Sequence, residues 1–274
     1  MNKLFLLHET DVIRWTLIPL CIQVILVSLE CIYNGELYRP AHLLGWDRVR
    51  ASRRIRSAGA LRAGLLVFFF DYPNVLFLFA ARAGLAVTVF WFAVQGRYYP
   101  WMILVLWVLG EAATRRNASS ENGSDQMSNI ILTSVGLYFL FSGSAFIRAL
   151  SIFFIASQGM LSYLTAGFFK AIKMEWLNGL FLEELLHTRT FGNRMITNLC
   201  DRWSSSYKAG SIALICWEVI MGICFLLPPP VCLCVLAGGV LFHFSVAIVM
   251  GFNTFFWVFL AIYPSIYFVS LKIH

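Results

Sequence analysis

The sequence predicts an all-α protein: a polytopic transmembrane bundle of about seven to eight spans. Three observations carry this reading. Charged residues make up 13% of the chain and hydrophobic residues 59%, whereas a soluble domain carries about 25% charged residues. Apolar runs near 20 residues, the length needed to cross a bilayer, recur along the chain. Mean hydropathy is +0.75. The 274 residues suit a single transmembrane domain over 1–274, with no room for a large soluble one.

The first span is expected at 14–32, from Trp15 through Cys31. It has no small-residue cleavage site and should stay as a membrane helix. A polar loop at 33–62 carries Arg39, Arg48, Arg50, Arg53, Arg54, Arg56 and Arg62, and its later part reads as an amphipathic helix on anionic lipid. Residues 63–95 are too long for one span. Asp71-Tyr72-Pro73 breaks them, because proline disfavours helix in the residue before it and lacks a donor. This gives an interfacial piece at 63–70 and a span at 73–95. Tyr98, Tyr99 and Trp101 suit the membrane interface and open a span to about Gly110.

A polar connection at 114–126 follows, then spans at 127–143 and 146–170 joined by Ser142-Gly143-Ser144. A second long polar segment covers 171–207. The next span, 209–228, ends at Pro228-Pro229-Pro230, and 231–271 needs two spans with a turn near Gly251-Phe252-Asn253.

The net charge of +7 would raise nucleic acid as a partner in a soluble protein. Here the cations sit in short loops, as the positive-inside bias demands, so the expected partner is the lipid bilayer and no nucleic acid. Lys and Arg counts place 33–62, 114–126 and 171–207 on the cytoplasmic side. Six of the seven cysteines lie in or beside apolar segments and read as small core hydrophobes. Phosphate-binding glycine loops, a Gly-x-Ser-x-Gly elbow and zinc signatures are absent. Glu184-x-x-His187 has the spacing used in di-iron bundles but lacks a second such pair, so no metal is expected.

An ionisable group inside a span costs about 2.5–3.5 kcal/mol on insertion scales and needs a reason. The candidates are Arg82, Glu111, Arg148, Lys170, Glu218 and His243. Glu111 and Arg148 lie near span ends, where snorkelling satisfies them. Arg82 and Glu218 are nearer mid-span, and the simplest reading is a buried pair that fixes helix packing. Gly159, Tyr163, Gly167 and Lys170 follow i, i+4, i+8, i+11 and share one helix face. The small residues there permit close helix approach or leave space for a flat ligand. Lys170 is open to two readings, a helix-end anchor or a desolvated base. His243 is open to two as well, a helix–helix hydrogen bond or a proton shuttle.

Tyr163-x-x-Ala166-Gly167-x-x-Lys170, followed by Trp176-x-x-Gly179, resembles the membrane core of the vitamin K-dependent γ-glutamyl carboxylases. Their bacterial relatives carry the HTTM domain (horizontally transferred transmembrane domain), and short members resemble sporulation-delaying protein B. Gln158, five residues before Tyr163, agrees with that pattern. So do Phe242-His243 with Phe255 and Ala261 downstream, and Asn122-Gly123-Ser124-Asp125 before an apolar span. The resemblance covers most of 64–270.

The resemblance implies a bacterial inner-membrane protein in which Lys170 is the base that deprotonates a quinone-like hydroquinone, with Tyr163 and His243 as polar helpers. Gln158, Gly167, Trp176 and Gly179 would line the ligand. It also implies a role in maturing a secreted toxin peptide, together with a partner protein. Three departures matter. Phe169 stands where the family has a first lysine, Ile172, Lys173 and Met174 replace acidic residues, and the soluble domain that holds the carboxylase substrate has no counterpart here. Glutamate carboxylation is therefore not implied. The rival expectation is a non-catalytic scaffold, receptor or immunity protein that uses Lys170 as an anchor.

Overall fold

The computed structural model describes residues 7–52, 68–117, 123–203 and 205–274. Every regular element among them is helical. In chain order these are α1 (Glu9–Tyr33), α2 (Trp46–Ser52), α3 (Asn74–Val94), α4 (Pro100–Arg116), α5 (Gly123–Leu140) and α6 (Ala145–Ala171). Three short helices follow, α7 (Met174–Leu177), α8 (Leu180–His187) and α9 (Arg194–Cys200), and then α10 (Ser206–Ile223), α11 (Pro229–Met250) and α12 (Asn253–Ile273).

Six helices are long and apolar enough to cross a membrane: α1, α3, α6, α10 with its 3-10 extension to Leu226, α11 and α12. They make this an integral membrane protein. The other two expected spans also form helices. However, α4 has 17 residues, about 25 Å at 1.5 Å per residue, against a hydrocarbon core of about 30 Å. The first turns of α5 carry Ser124, Asp125, Gln126, Ser128 and Asn129. Among the described residues, length and apolarity single out six helices.

The helix boundaries follow local chemistry. The run at 68–95 breaks at Asp71–Pro73, and α3 starts at Asn74. Pro100 and Pro229 stand at the first positions of α4 and α11, where a missing N–H leaves no bond unmade. Gly251 takes φ +76 between α11 and α12, a left-handed conformation that glycine adopts without strain. In the later part of 33–62, Trp46–Ser52 is helical as α2, while residues 53–62 and most of the piece at 63–70 lie outside the described residues.

The chain divides into two compact units, Ile13–Ser151 and Met1–Val12 with Ile152–His274. In the N-terminal unit, Tyr38, Val75, Phe79 and Ala113 form one apolar cluster, and Trp46, Val49 and Phe70 form another. Arg116 lies fully buried in the same unit. Its Nε donates to the Phe70 carbonyl at 2.6 Å and its Nη2 to the Leu44 carbonyl at 2.7 Å. The guanidinium also lies 4.9 Å from the Tyr38 ring centre and 5.6 Å from that of Trp46. Burial pushes the Tyr38 hydroxyl above its ordinary pKa, so it stays a neutral donor to Asn117 Oδ1 at 3.0 Å. The C-terminal unit packs α6, α10, α11 and α12 with the short helices α7 to α9, and it carries the candidate site.

Candidate functional site

Small residues set the site by letting helices approach. A Cβ on Gly159 would collide with Ile262, and one on Gly222 would collide with Leu164. At Gly167 an added Cβ would stand 3.1 Å from Val219 Cγ2 and 3.3 Å from Glu218 Cβ. The α6 face predicted from the spacing therefore meets α12 closely at Gly159 and α10 at Gly167, the small-residue packing expected between membrane helices.

One turn beyond Gly167, Lys170 Nζ donates to both carboxylate oxygens of Glu218, at 2.6 and 2.7 Å. The side chains are 17% and 9% exposed, so water barely competes for this charge-assisted bond. Trp176 covers the ammonium, with its ring centre 5.2 Å from Nζ, and stacks on Phe181 at 4.7 Å. The turn that carries Trp176 is pinned twice. Ser211 donates to the Trp176 carbonyl at 2.6 Å. Gly179 takes φ +84 where a Cβ would strike the Lys208 backbone. Only glycine fits there, which gives the Trp176-x-x-Gly179 pattern a local structural cause.

A second polar group lies two turns earlier on the same helix. Tyr163 Oη is 2.7 Å from His243 Nε2 and 2.8 Å from Tyr263 Oη. One consistent assignment runs Tyr263 to Tyr163 to His243, with Nε2 accepting and the imidazole proton on Nδ1. The His243 ring stacks on Phe259 at 4.3 Å and 12°. Gly239 leaves room for Tyr263, because an added Cβ would come within 2.6 Å of its hydroxyl. Tyr163, His243 and Tyr263 are all buried.

The structure thus brings Tyr163 and His243 together and gives Lys170, Gly167, Trp176 and Gly179 one neighbourhood. Gln158 is half-buried on α6, and its carbonyl accepts from Ser162 at 2.8 Å. Arg148 donates to the Ser142 carbonyl at the start of α6, as a span-end cation does. Glu218, read with Arg82 from the sequence, is engaged by Lys170 within its own unit. Arg82 is buried on α3, where Asp125 and Cys31 act on it electrostatically. A helical sequence shows which residues share a face but not which faces meet.

Two residues escaped sequence reasoning. Tyr263 sits in an aromatic span, and the only signal was a hydroxyl at mid-span, which needs a partner there. Arg116 was read as one cation of a polar connection, yet it is fully buried. His187, raised as part of a metal spacing, directs Nδ1 at the Glu183 carbonyl at 2.8 Å and places Nε2 3.5 Å from Asp201. Among the described residues no group of three or more His, Cys, Asp or Glu is placed to hold a metal ion. All seven cysteines are free thiols, with Cys21, Cys224 and Cys232 buried.

No protein-family model, curated protein or solved structure matches the chain.

Proposed function

We propose that this is an HTTM-type membrane protein that handles a proton within the bilayer, with Lys170 as the base toward a hydroquinone-type ligand, in the service of maturing a secreted peptide. The observation that supports the reading is the Lys170–Glu218 pair, set among apolar helices and roofed by Trp176. In water a lysine amine stays protonated. In a low-dielectric pair, transfer of one proton from Nζ to Glu218 removes two charges at once, which offsets the loss of Coulomb attraction. The neutral amine then accepts the ligand's hydroxyl proton. Glu218 keeps the proton it took, and the new ammonium faces the ligand's anion. Tyr163 and His243 supply a polar contact on the same face, and Trp176 a flat apolar surface.

The test is binding of menadiol to the protein in lipid nanodiscs, read by tryptophan quenching. Lys170→Met and Glu218→Gln are each expected to weaken binding about tenfold while helicity is retained. Undiminished binding by folded Lys170→Met would refute the base reading. A second reading, a non-catalytic scaffold, receptor or immunity protein, is favoured by the two-oxygen grip of Glu218 on Lys170, which also serves as a lock between α6 and α10. It expects the same variants to lose stability and menadiol to bind neither protein.

A further inference from the structure

Outside that site, the segment between α6 and α10 folds around an open cleft of about 510 Å³. Both flanking helices are long and apolar enough to span a membrane. The segment leaves one at Ala171 and enters the other at Ser206, so it sits at a single membrane face. Its frame is closed by its own bonds. Gly192 N donates to the Thr188 carbonyl at 2.9 Å, and Phe191 N donates to Thr188 Oγ1 at 3.1 Å. Asn193 Oδ1 accepts from Met195 N at 3.0 Å. A side chain at Gly192 would strike the carbonyls of Leu186 and Thr188, so the loop closes only around glycine.

Two cations line this frame, Arg189 and Arg194, and none of the cleft's lining residues is acidic. Both arginines are exposed, and neither guanidinium has a hydrogen-bond or ion-pair partner among the described residues. The carboxylate of Asp201 is engaged by Tyr207 at 2.6 Å and lies 3.5 Å from His187. Two unpaired guanidiniums suit a phosphate, which arginine binds through paired N–H donors. On the next turns Met195, Leu199 and Trp203 are 82%, 63% and 71% exposed. Met195 and Leu199 stand four apart on one face of α9, and a tryptophan beside them marks the headgroup level. Cations above an apolar fringe fit a lipid better than a free anion.

We propose that this cleft binds the phosphate of an anionic phospholipid, with Arg189 and Arg194 on the headgroup and Met195, Leu199 and Trp203 beside the acyl chains. This site is independent of the Lys170 reading.

Native mass spectrometry of the purified full chain, titrated with phosphatidylglycerol and with phosphatidylcholine, tests it. The wild type is expected to retain phosphatidylglycerol preferentially. Arg189→Gln/Arg194→Gln should lose that retention about tenfold or more, in line with the contribution of basic residues at a lipid surface. Arg189→Lys/Arg194→Lys keeps the charge but loses the paired N–H donors and should recover only part of it, and Arg202→Gln, outside the cleft lining, should match the wild type. Equal retention by wild type and the folded Gln pair overturns the proposal, as does a Lys pair that retains the lipid better than the wild type. Displacement by millimolar inorganic phosphate, with no preference between the two lipids, overturns the lipid source and leaves a free-anion site. A Gln pair that fails to melt cooperatively is replaced by the two single variants, each expected to lose about threefold or more. Singles indistinguishable from wild type would count against the site.

Discussion

In the N-terminal unit Arg116 is a buried cation held by two backbone carbonyls and two aromatic rings. In the C-terminal unit the largely covered Lys170 is held by a carboxylate and one ring. The carbonyls of Phe70 and Leu44 cannot take a proton, so Arg116 keeps its charge whatever reaches it. Glu218 instead brings a full opposite charge, so Lys170 rests on one ionic partner. Arginine with carbonyls builds a strut of several bonds. Lysine with a carboxylate builds a joint that fails when either side is removed.

Breaking the Lys170–Glu218 joint from one side gives the largest expected effect. Glu218→Gln leaves a buried ammonium unpaired and is expected to cost about 3 kcal/mol of stability, the lower end for such a loss. Lys170→Met/Glu218→Leu removes both charges and is expected to cost less than the single change. Reversible unfolding in mixed micelles measures both, and a double variant weaker than the single would refute the pairing account. Arg116→Lys sharpens the contrast from the other unit. Lysine keeps the charge but cannot span both carbonyls, and an expected loss of about 2 kcal/mol follows from leaving a buried acceptor unsatisfied. If Arg116→Lys matches the wild type in the same assay, the strut description falls.

The smallest effect belongs to a cation in water. The Glu183 carbonyl, and then Asp201, hold the fully exposed His187 above its ordinary pKa of 6.5. A raised folded pKa means its contribution is complete below pH 6.5 and is lost as pH rises through the folded value. Solvent screening keeps that contribution minor. His187→Gln should flatten the pH dependence of local amide exchange around α8 above pH 6.5, and an unchanged profile would remove His187 as its source.

How much of this was legible in the sequence depends on the range of the interaction. The breaks at Asp71–Pro73, Pro228 and Gly251 are local, set by proline geometry and a left-handed glycine, and the helices obey them, as they do the break at Ser142–Ser144. The α6 face of Gly159, Tyr163, Gly167 and Lys170 is also local, because a helix fixes its own periodicity. Partner choice is not. In membrane helices every face is apolar, so hydropathy does not say that α10 rather than α3 meets Lys170, and Glu218 was assigned to Arg82. Tyr263 was missed for the same reason, since its partner lies 100 residues away. The 17 residues of α4 and the polar first turns of α5 were both visible in the sequence but outweighed by the apolar runs around them.

The chain from Tyr263 through Tyr163 to His243 has a direction, because each hydroxyl holds one proton and gives it to one neighbour. Reversing that direction turns both hydroxyls around and requires one proton taken up at the Tyr263 end for the one given up from Nδ1, so the chain carries no net charge before or after. In hydrocarbon, where charge separation is the forbidden move, a neutral reversal is the form of proton rearrangement the surroundings resist least. Three uncharged side chains on α6, α11 and α12 therefore hold two mirror arrangements of one dipole, so this part of the bundle can register an orientation without ever becoming an ion.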